Sequence, residues 1–184
     1  MERSRRNTFL FGGLVGGIVI ADIVTKAIAV AALVPRYVPR SVIGDWVQLR
    51  LVYNQGAAFG ISVGSLSRPV FIVLTLVAVG ILARMFRATA DGDLVRTTAI
   101  AMVVGGAIGN LIDRLRSAQG VVDFLDVGVG THRWPTFNVA DMGVSVGALL
   151  LALVLWKEDA PAAEAHAAGA PAATPTEPLP GRSS

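Results

Sequence analysis

The chain has 184 residues, of which 53% are hydrophobic and only 16% are charged, a composition that indicates a small membrane protein rather than a soluble domain. It contains no cysteine, which excludes disulfides, thiolate nucleophiles and cysteine-ligated metal sites. The formal charge of +3 is spread through short loops without a basic stripe, so we expect no nucleic-acid partner.

Four apolar runs are long enough to cross the hydrocarbon core of a bilayer, which needs about 20 helical residues. They predict transmembrane helices at about residues 8–34, 68–86, 97–115 and 139–156. The first run also resembles a cleavable signal sequence, but charged residues interrupt it and three more spans follow. We therefore predict an α-helical membrane protein in which residues 1–156 form one four-helix domain.

The segments outside the membrane have distinct compositions. Between the first two spans, Val47, Leu49 and Leu51 occupy alternate positions, which predicts a half-buried strand. We expect residues 37–61 to form a small β-strand cradle on the membrane surface, at the outer face. Residues 157–184 are rich in Ala, Pro and Glu, which predicts a disordered tail to which we assign no function.

The orientation of the spans follows weakly from the basic residues beside them. Lys and Arg are slightly more numerous on the side of the two termini than on the opposite side. Because cytoplasmic loops carry an excess of Lys and Arg, we expect cytoplasmic N and C termini.

The polar residues that are costly near hydrocarbon fall on one side of the predicted bundle. With four spans, the loops after spans one and three share a side. Asn54 lies in the first of these loops and Asp123 in the second, while Asp141 begins span four from the same side. Five further polar residues approach that side within spans one and three: Asp22, Lys26, Asn110, Asp113 and Arg114. The pattern indicates one polar site at one membrane face.

Asp123 and Asp141 are the candidate reactive groups. Carboxylates persist at the edge of hydrocarbon when they are paired, solvated or used. Two carboxyls that share a site can hold one proton between them and divide the general-acid and general-base roles, as in an aspartic protease. The alternative is that both are solvated acids at a helix boundary. A serine hydrolase is a weaker hypothesis, because His132 is the only histidine outside the tail and no nucleophile motif is present.

Several polar residues also have a structural interpretation. Asp22 and Lys26 are four residues apart, which favours an ion pair on one helix face over direct chemistry. Asn110 and Asn138 could join helices or bind substrate. At the level of the whole chain, a proton-relay transporter or lipid-binding membrane protein remains an alternative to a protease. So does a membrane subunit that acts only through interactions.

Five motifs, in order along residues 22–145, resemble those of the bacterial lipoprotein signal peptidase (signal peptidase II) family. They are Asp22-Ile-Val-Thr25-Lys26, Val52-Tyr53-Asn54-Gln55-Gly56-Ala57-Ala58-Phe59-Gly60, Gly106-Ala-Ile-Gly109-Asn110-Leu-Ile-Asp113-Arg114, Val121-Val122-Asp123-Phe124 and Phe137-Asn138-Val139-Ala140-Asp141. One departure concerns loop geometry: the segment before Val121 is one residue longer than usual in the family and ends in Gly120, where a larger residue often stands.

The resemblance implies an intramembrane aspartic endopeptidase of the bacterial cytoplasmic (inner) membrane, with its active site near the outer face. Such an enzyme removes the signal peptide from diacylglyceryl-modified prolipoproteins, cleaving just before the lipid-bearing cysteine. The implied partners are lipidated prolipoproteins and membrane lipid; no metal or other cofactor is needed, and we expect a monomer. By the resemblance, Asp123 and Asp141 are catalytic, and the residues around them that bind substrate or support the site are Asp22, Lys26, Asn54, Gly56, Ala58, Asn110, Arg114, Asn138 and Ala140.

Overall fold

A computed structural model describes residues 5–55 and 64–168. Its four long helices are α1 (Arg5–Ala32), α2 (Ser67–Ala88), α3 (Leu94–Arg116) and α4 (Val139–Ala168). Each contains a stretch that is long and apolar enough to cross a membrane. The predicted four-helix membrane fold is therefore confirmed, and every helix end except the C-terminal end of α4 lies a few residues from the one expected. A short 3-10 helix, Gly64–Leu66, leads into α2.

Helix α3 forms the centre of the bundle and packs against the other three helices. Of its membrane-spanning stretch, 44% is buried, against 11–17% in the other helices, which turn most of their surface outward. Small residues allow the close packing of α3 and α4: a Cβ on Gly106 would collide with the main-chain carbonyl of Ala140. Glycine at this position lets the two backbones approach.

Four antiparallel strands form a sheet at one end of the bundle. They are β1 (Arg40–Ile43), β2 (Val47–Asn54), β3 (Val121–Val129) and β4 (His132–Arg133), in that spatial order. The predicted strand corresponds to β2; β1, β3 and β4 were not predicted. In the β2–β3 pair, Asn54 lies opposite Val121 and Val52 opposite Asp123. The loops after the first and third helices thus meet on the same side, as the topology predicted.

Apolar side chains anchor the sheet on the end of α1. Leu51 of β2 is 1% exposed and packs in one cluster with Val122 and Phe124 of β3. The same cluster contains Ala29 and Leu33 at the end of α1. Because this contact buries apolar surface from both elements, β3 has a fixed position relative to the helices.

A buried carboxylate ties the outer half of the sheet together. Asp126 of β3 is fully buried and accepts a hydrogen bond of 2.6 Å from Arg133 Nε. Its other carboxylate oxygen lies 3.1 Å from Arg50 Nη2. A buried carboxylate between two guanidinium groups is compensated, so this network links β2, β3 and β4 without leaving a buried charge unpaired.

The end of α4 differs from the prediction. A disordered tail was expected from Lys157, but α4 continues to Ala168. The segment after Glu158 is rich in alanine, the residue with the highest helix propensity, which favours continuation of an existing helix. Residues 169–184 lie outside the described part of the chain, and the prediction of disorder there stays a prediction.

The packing of α3 on α4 predicts that Gly106→Ala destabilises the protein. The added methyl group meets a backbone carbonyl that cannot move without shifting α4, and such overpacking typically costs about 1–3 kcal/mol. Gly80→Ala in α2 is the matched control, because nothing lies within 4 Å of the position that its methyl group would take. Thermal unfolding in detergent should show a lower midpoint for Gly106→Ala only. Equal midpoints for the two variants would contradict the close packing.

Candidate active site

Lys26 places a buried cation at the sheet end of the bundle. Its side chain is 4% exposed, although it lies on an apolar helix. Its ammonium group lies 2.7 Å from Asp22 Oδ2 and 2.8 Å from Asp113 Oδ2. It also donates a hydrogen bond of 3.0 Å to Asn110 Oδ1. All three of its donors therefore have partners, which makes the buried cation tolerable.

The two carboxylates bound to Lys26 hold the backbone beside the two candidate catalytic residues. Asp22 accepts a hydrogen bond of 2.9 Å from the backbone N–H of Ala140, which precedes Asp141. Asp113 accepts one of 3.1 Å from the backbone N–H of Val122, which precedes Asp123. Lys26 thus connects α1 and α3 to both of the segments that carry the reactive groups.

Asp141 is part of the cap that begins α4. Asn138 Oδ1 accepts a hydrogen bond of 2.8 Å from the backbone N–H of Asp141. In return, Asp141 Oδ2 accepts one of 3.2 Å from the backbone N–H of Asn138. This reciprocal arrangement is a capping box, which satisfies N–H groups at the helix start and fixes the Asp141 carboxylate there.

Two side-chain amides connect the carboxyl groups. Asn138 Nδ2 donates to Asp123 Oδ1 at 2.7 Å, and Asn110 Nδ2 donates to Asp141 Oδ1 at 2.7 Å. The two amides also meet each other, with Asn138 Nδ2 3.1 Å from Asn110 Oδ1. The surroundings determine the orientation of Asn110: its oxygen faces the Lys26 cation, and its NH2 group faces a carboxylate.

Asp123 is buried at the junction of the sheet and the helices, with 2% of its surface exposed. Burial, reinforced by the nearby Asp141, raises the pKa of Asp123 to about 7, although hydrogen bonds from Asn54 and Asn138 act in the opposite direction. Asp123 can therefore hold a proton close to neutral pH, which a solvated aspartate cannot do.

Arg114 lies close enough to both reactive carboxyls to interact with their charges. It donates a hydrogen bond of 3.3 Å to the carbonyl of Asn110, and its guanidinium lies 5.2 Å from the ring centre of Phe71 in α2. Arg68 of α2 in turn donates to the carbonyl of Arg114 at 2.7 Å. The cation is thus positioned by α2 and α3 together.

The structure brings together most of the residues selected from the sequence. Around Asp123 and Asp141 lie Asp22, Lys26, Asn54, Asn110, Arg114, Asn138 and Ala140. Gly56 and Ala58 lie outside the described residues. Asp113 was placed on this side of the bundle from the sequence but was not predicted to be a member of the site. Its place three residues after Asn110, on the same helix face, was the available signal.

The unusual Gly120 also has a structural explanation. Its φ of 102° is in a region that side chains rarely adopt. A Cβ there would also collide with the carbonyl of Asn54, opposite the start of β3. Glycine therefore lets the longer connection enter β3 while β2 stays paired beside it.

Two cavities meet the reactive groups from different sides. Asp123 lines a polar cavity of about 830 Å³ beside β2. Asp141 lines a smaller cavity of about 500 Å³, whose other walls are mainly apolar residues of β3, the following loop and α4. The arrangement offers two carboxyl groups, one of them able to hold a proton near neutral pH, between a polar and an apolar space.

The Lys26 network predicts a stability effect that an exposed lysine would not show. Lys26→Met leaves two carboxylates without their shared cation, and breaking a buried ion pair costs about 3–5 kcal/mol. We expect a strongly lowered thermal midpoint, with partial recovery when Asp22→Asn is added. Lys157→Met, at an exposed lysine of α4, is the control. A Lys26→Met protein with an unchanged midpoint and lost activity would instead give Lys26 a direct chemical role.

Comparisons with known proteins identify the family of the chain. A family model described as signal peptidase (SPase) II matches residues 14–157. The lipoprotein signal peptidase of Syntrophotalea carbinolica is 45% identical over 118 residues, covering 64% of this chain and 73% of that protein. That of Geobacter sulfurreducens is 41% identical over 119 residues, covering 64% and 74%. A solved bacterial membrane enzyme structure is 30% identical with a TM-score of 0.72, over 81% of this chain and 88% of that chain. The chain therefore belongs to the signal peptidase II family, the lipoprotein signal peptidases.

Proposed function

We propose that this peptidase is an intramembrane aspartic endopeptidase. It removes the signal peptide from diacylglyceryl-modified prolipoproteins and cleaves just before the lipid-bearing cysteine. The family supports a peptidase that acts on lipoproteins. The observation that carries the aspartic mechanism is that one residue, Asn138, holds both Asp123 and Asp141. Two carboxyls fixed in this way can act as a pair on one peptide bond.

The surroundings of the two carboxyls suggest different roles. Asp141 lies in the first turn of α4, where the helix dipole and two N–H donors favour its negative charge. It would take a proton from the water that attacks the scissile carbonyl. Asp123, protonated near neutral pH, would donate to the carbonyl oxygen and later to the leaving amine. No metal or other cofactor is needed for these steps.

The fold also supports a membrane location for the reaction. The site lies at the end of four apolar helices, where a lipidated cysteine can remain in the bilayer while its peptide bond reaches the carboxyls. A translocated precursor presents that bond at the outer face of the bacterial inner membrane. We therefore place the sheet and the site at that face, with both termini in the cytoplasm. The partners are lipidated prolipoproteins and membrane lipid, and the protein acts as a monomer.

A proton-relay transporter is less compatible with the packing. Such a protein needs polar groups that continue across the membrane. Beyond the site, within the described helices, the interior is filled by an apolar cluster that includes Leu82, Phe86, Ile100 and Val104. This cluster separates the site from the opposite face, which favours chemistry at one face over transport.

Asp123→Asn and Asp141→Asn should each lower the cleavage rate by about 10³-fold or more, because an amide cannot exchange the proton that the reaction requires. The measurement is cleavage of a lipidated precursor by purified enzyme in detergent, with folding checked by thermal unfolding. Asp45→Asn, at an aspartate of the sheet that is 53% exposed, is the matched control and should keep its rate. Substantial turnover by either dyad variant would exclude the aspartic mechanism.

The pKa of Asp123 predicts a pH dependence of stability that is independent of activity. Its folded-state pKa of about 7 lies above the ordinary 3.8, so the folded state binds the proton more tightly. The stabilisation is complete below pH 3.8 and is lost as the pH rises through about 7. Asp123→Asn removes this loss, so its thermal midpoint should rise relative to wild type between about pH 4 and about pH 7. A difference that does not change with pH would contradict the raised pKa.

The orientation can be tested with single cysteines, because the chain has none of its own. Thr131 lies at an exposed position after β3, and Ala90 lies at an exposed position between α2 and α3. In intact cells, an impermeant thiol reagent should label Thr131→Cys and not Ala90→Cys, while both should react after permeabilisation. The reverse pattern would place the site on the cytoplasmic side.

A further inference from the structure

The polar cavity beside Asp123 has walls from both loops on the sheet side of the bundle. Tyr53 and Asn54 of β2 lie next to Asp123, and Pro135 and Thr136 close the side toward α4. Arg36, Gln119 and Arg50 are also part of the wall. A volume of about 830 Å³ holds several amino-acid residues, so it exceeds what a water molecule at the carboxyls requires.

Arg36 presents a cation to this cavity without a compensating anion. Its guanidinium stacks 4.4 Å from the ring centre of Tyr53 and donates a hydrogen bond of 3.0 Å to the Gln119 amide oxygen. Among the side chains that the structure describes, within residues 5–55 and 66–158, no carboxylate lies within ion-pair distance of it. Both of its contacts are with uncharged groups, so they orient the charge while leaving it available.

Arg50, the other arginine of the cavity wall, differs in this respect. It lies 3.1 Å from the buried Asp126 carboxylate and donates a hydrogen bond of 2.9 Å to Thr136. Its charge is therefore used within the sheet. Of the two arginines, Arg36 is the one whose charge can select a ligand.

The apolar cavity on the other side indicates which part of the substrate lies in which cavity. Its walls include Trp134, Phe137, Met142 and Val146, and Asp141 borders it. Met142 and Val146 also have large exposed surfaces on α4, so this cavity adjoins the lipid-facing side of the helix. Hydrocarbon fits here. The polar cavity is then left for the part of the substrate that continues into water, which is the mature polypeptide after the cysteine.

We propose that the first residues after the lipidated cysteine occupy the cavity beside Asp123, and that Arg36 makes the enzyme favour an acidic side chain there. The inference rests on the proposed function and adds a specificity determinant to it. Arg36 acts on substrate binding through its charge and takes no part in the proton transfers. Its effect should therefore appear mainly in KM.

The test compares lipidated precursor peptides that carry Asp, Asn or Lys at the second or third residue after the cysteine. Wild type should cleave the Asp peptides with a kcat/KM about three- to fivefold above the Asn peptides, with the Lys peptides lowest, as for a single solvent-accessible charge pair. The preference should shrink at high salt. This arm needs no variant, so it does not depend on the folding of a mutant.

Variants then assign the preference to one residue. Arg36→Gln should abolish the preference, so that Asp and Asn peptides are cleaved with equal kcat/KM; Arg36→Lys should retain the preference, and Arg36→Glu should reverse it. Arg40→Gln is the matched control, since Arg40 is an exposed arginine of the same sheet that donates to the Val34 carbonyl and does not line the cavity.

The outcomes separate this inference from the proposed function. Cleavage of all peptides without charge preference, or a preference that survives Arg36→Gln, would overturn the role of Arg36 and leave the peptidase intact. Failure to cleave any lipidated peptide would instead contradict the proposed function. An equal loss for all peptides in Arg36→Gln would show that Arg36 supports the sheet and does not select substrates.

Discussion

The buried ammonium of Lys26 is the interaction on which the site depends. Its two carboxylate partners, Asp22 and Asp113, each hold a backbone N–H next to one of the two proposed catalytic aspartates. Its third partner, Asn110, contacts the Asp141 carboxylate directly. One charge therefore sets the position of the strand β3 relative to the start of α4. A buried cation is tolerated only when carboxylates or other polar groups compensate its charge. The partners of Lys26 are therefore needed to keep the ammonium group in this position.

The sequence predicted those features that depend on local pattern. Apolar runs located the helices, alternation located β2, and the number of spans placed Asn54 and Asp123 on the same side. The pairing of β2 with β3 was beyond such reasoning, because it joins segments about seventy residues apart and only the folded bundle brings them together. The second partner of Lys26 was missed for the same reason. Asp22 is its neighbour on one helix face, whereas Asp113 comes from another helix.

Different parts of the molecule restrain the two reactive groups. Asp123 is carried by a strand that apolar contacts attach to α1 and that an arginine–aspartate network ties to its neighbours. Asp141 is carried by a helix that packs closely on α3. Hydrogen bonds of the Asn138 and Asn110 side-chain amides connect Asp123 on the strand to Asp141 on the helix. These contacts position the two carboxyls relative to each other without a bound substrate.

The capping box at the start of α4 has a consequence for the sequence changes that this protein can accept. At position 141 the helix needs a side chain that accepts a hydrogen bond from the Asn138 backbone, which aspartate, asparagine, glutamate or glutamine can supply. The proposed chemistry needs an acid, which leaves aspartate and glutamate. The contact with Asn110 at 2.7 Å is set for the shorter arm. These three independent requirements restrict position 141 to aspartate. We therefore expect almost no resistance substitutions at this position against an inhibitor that binds the carboxylate.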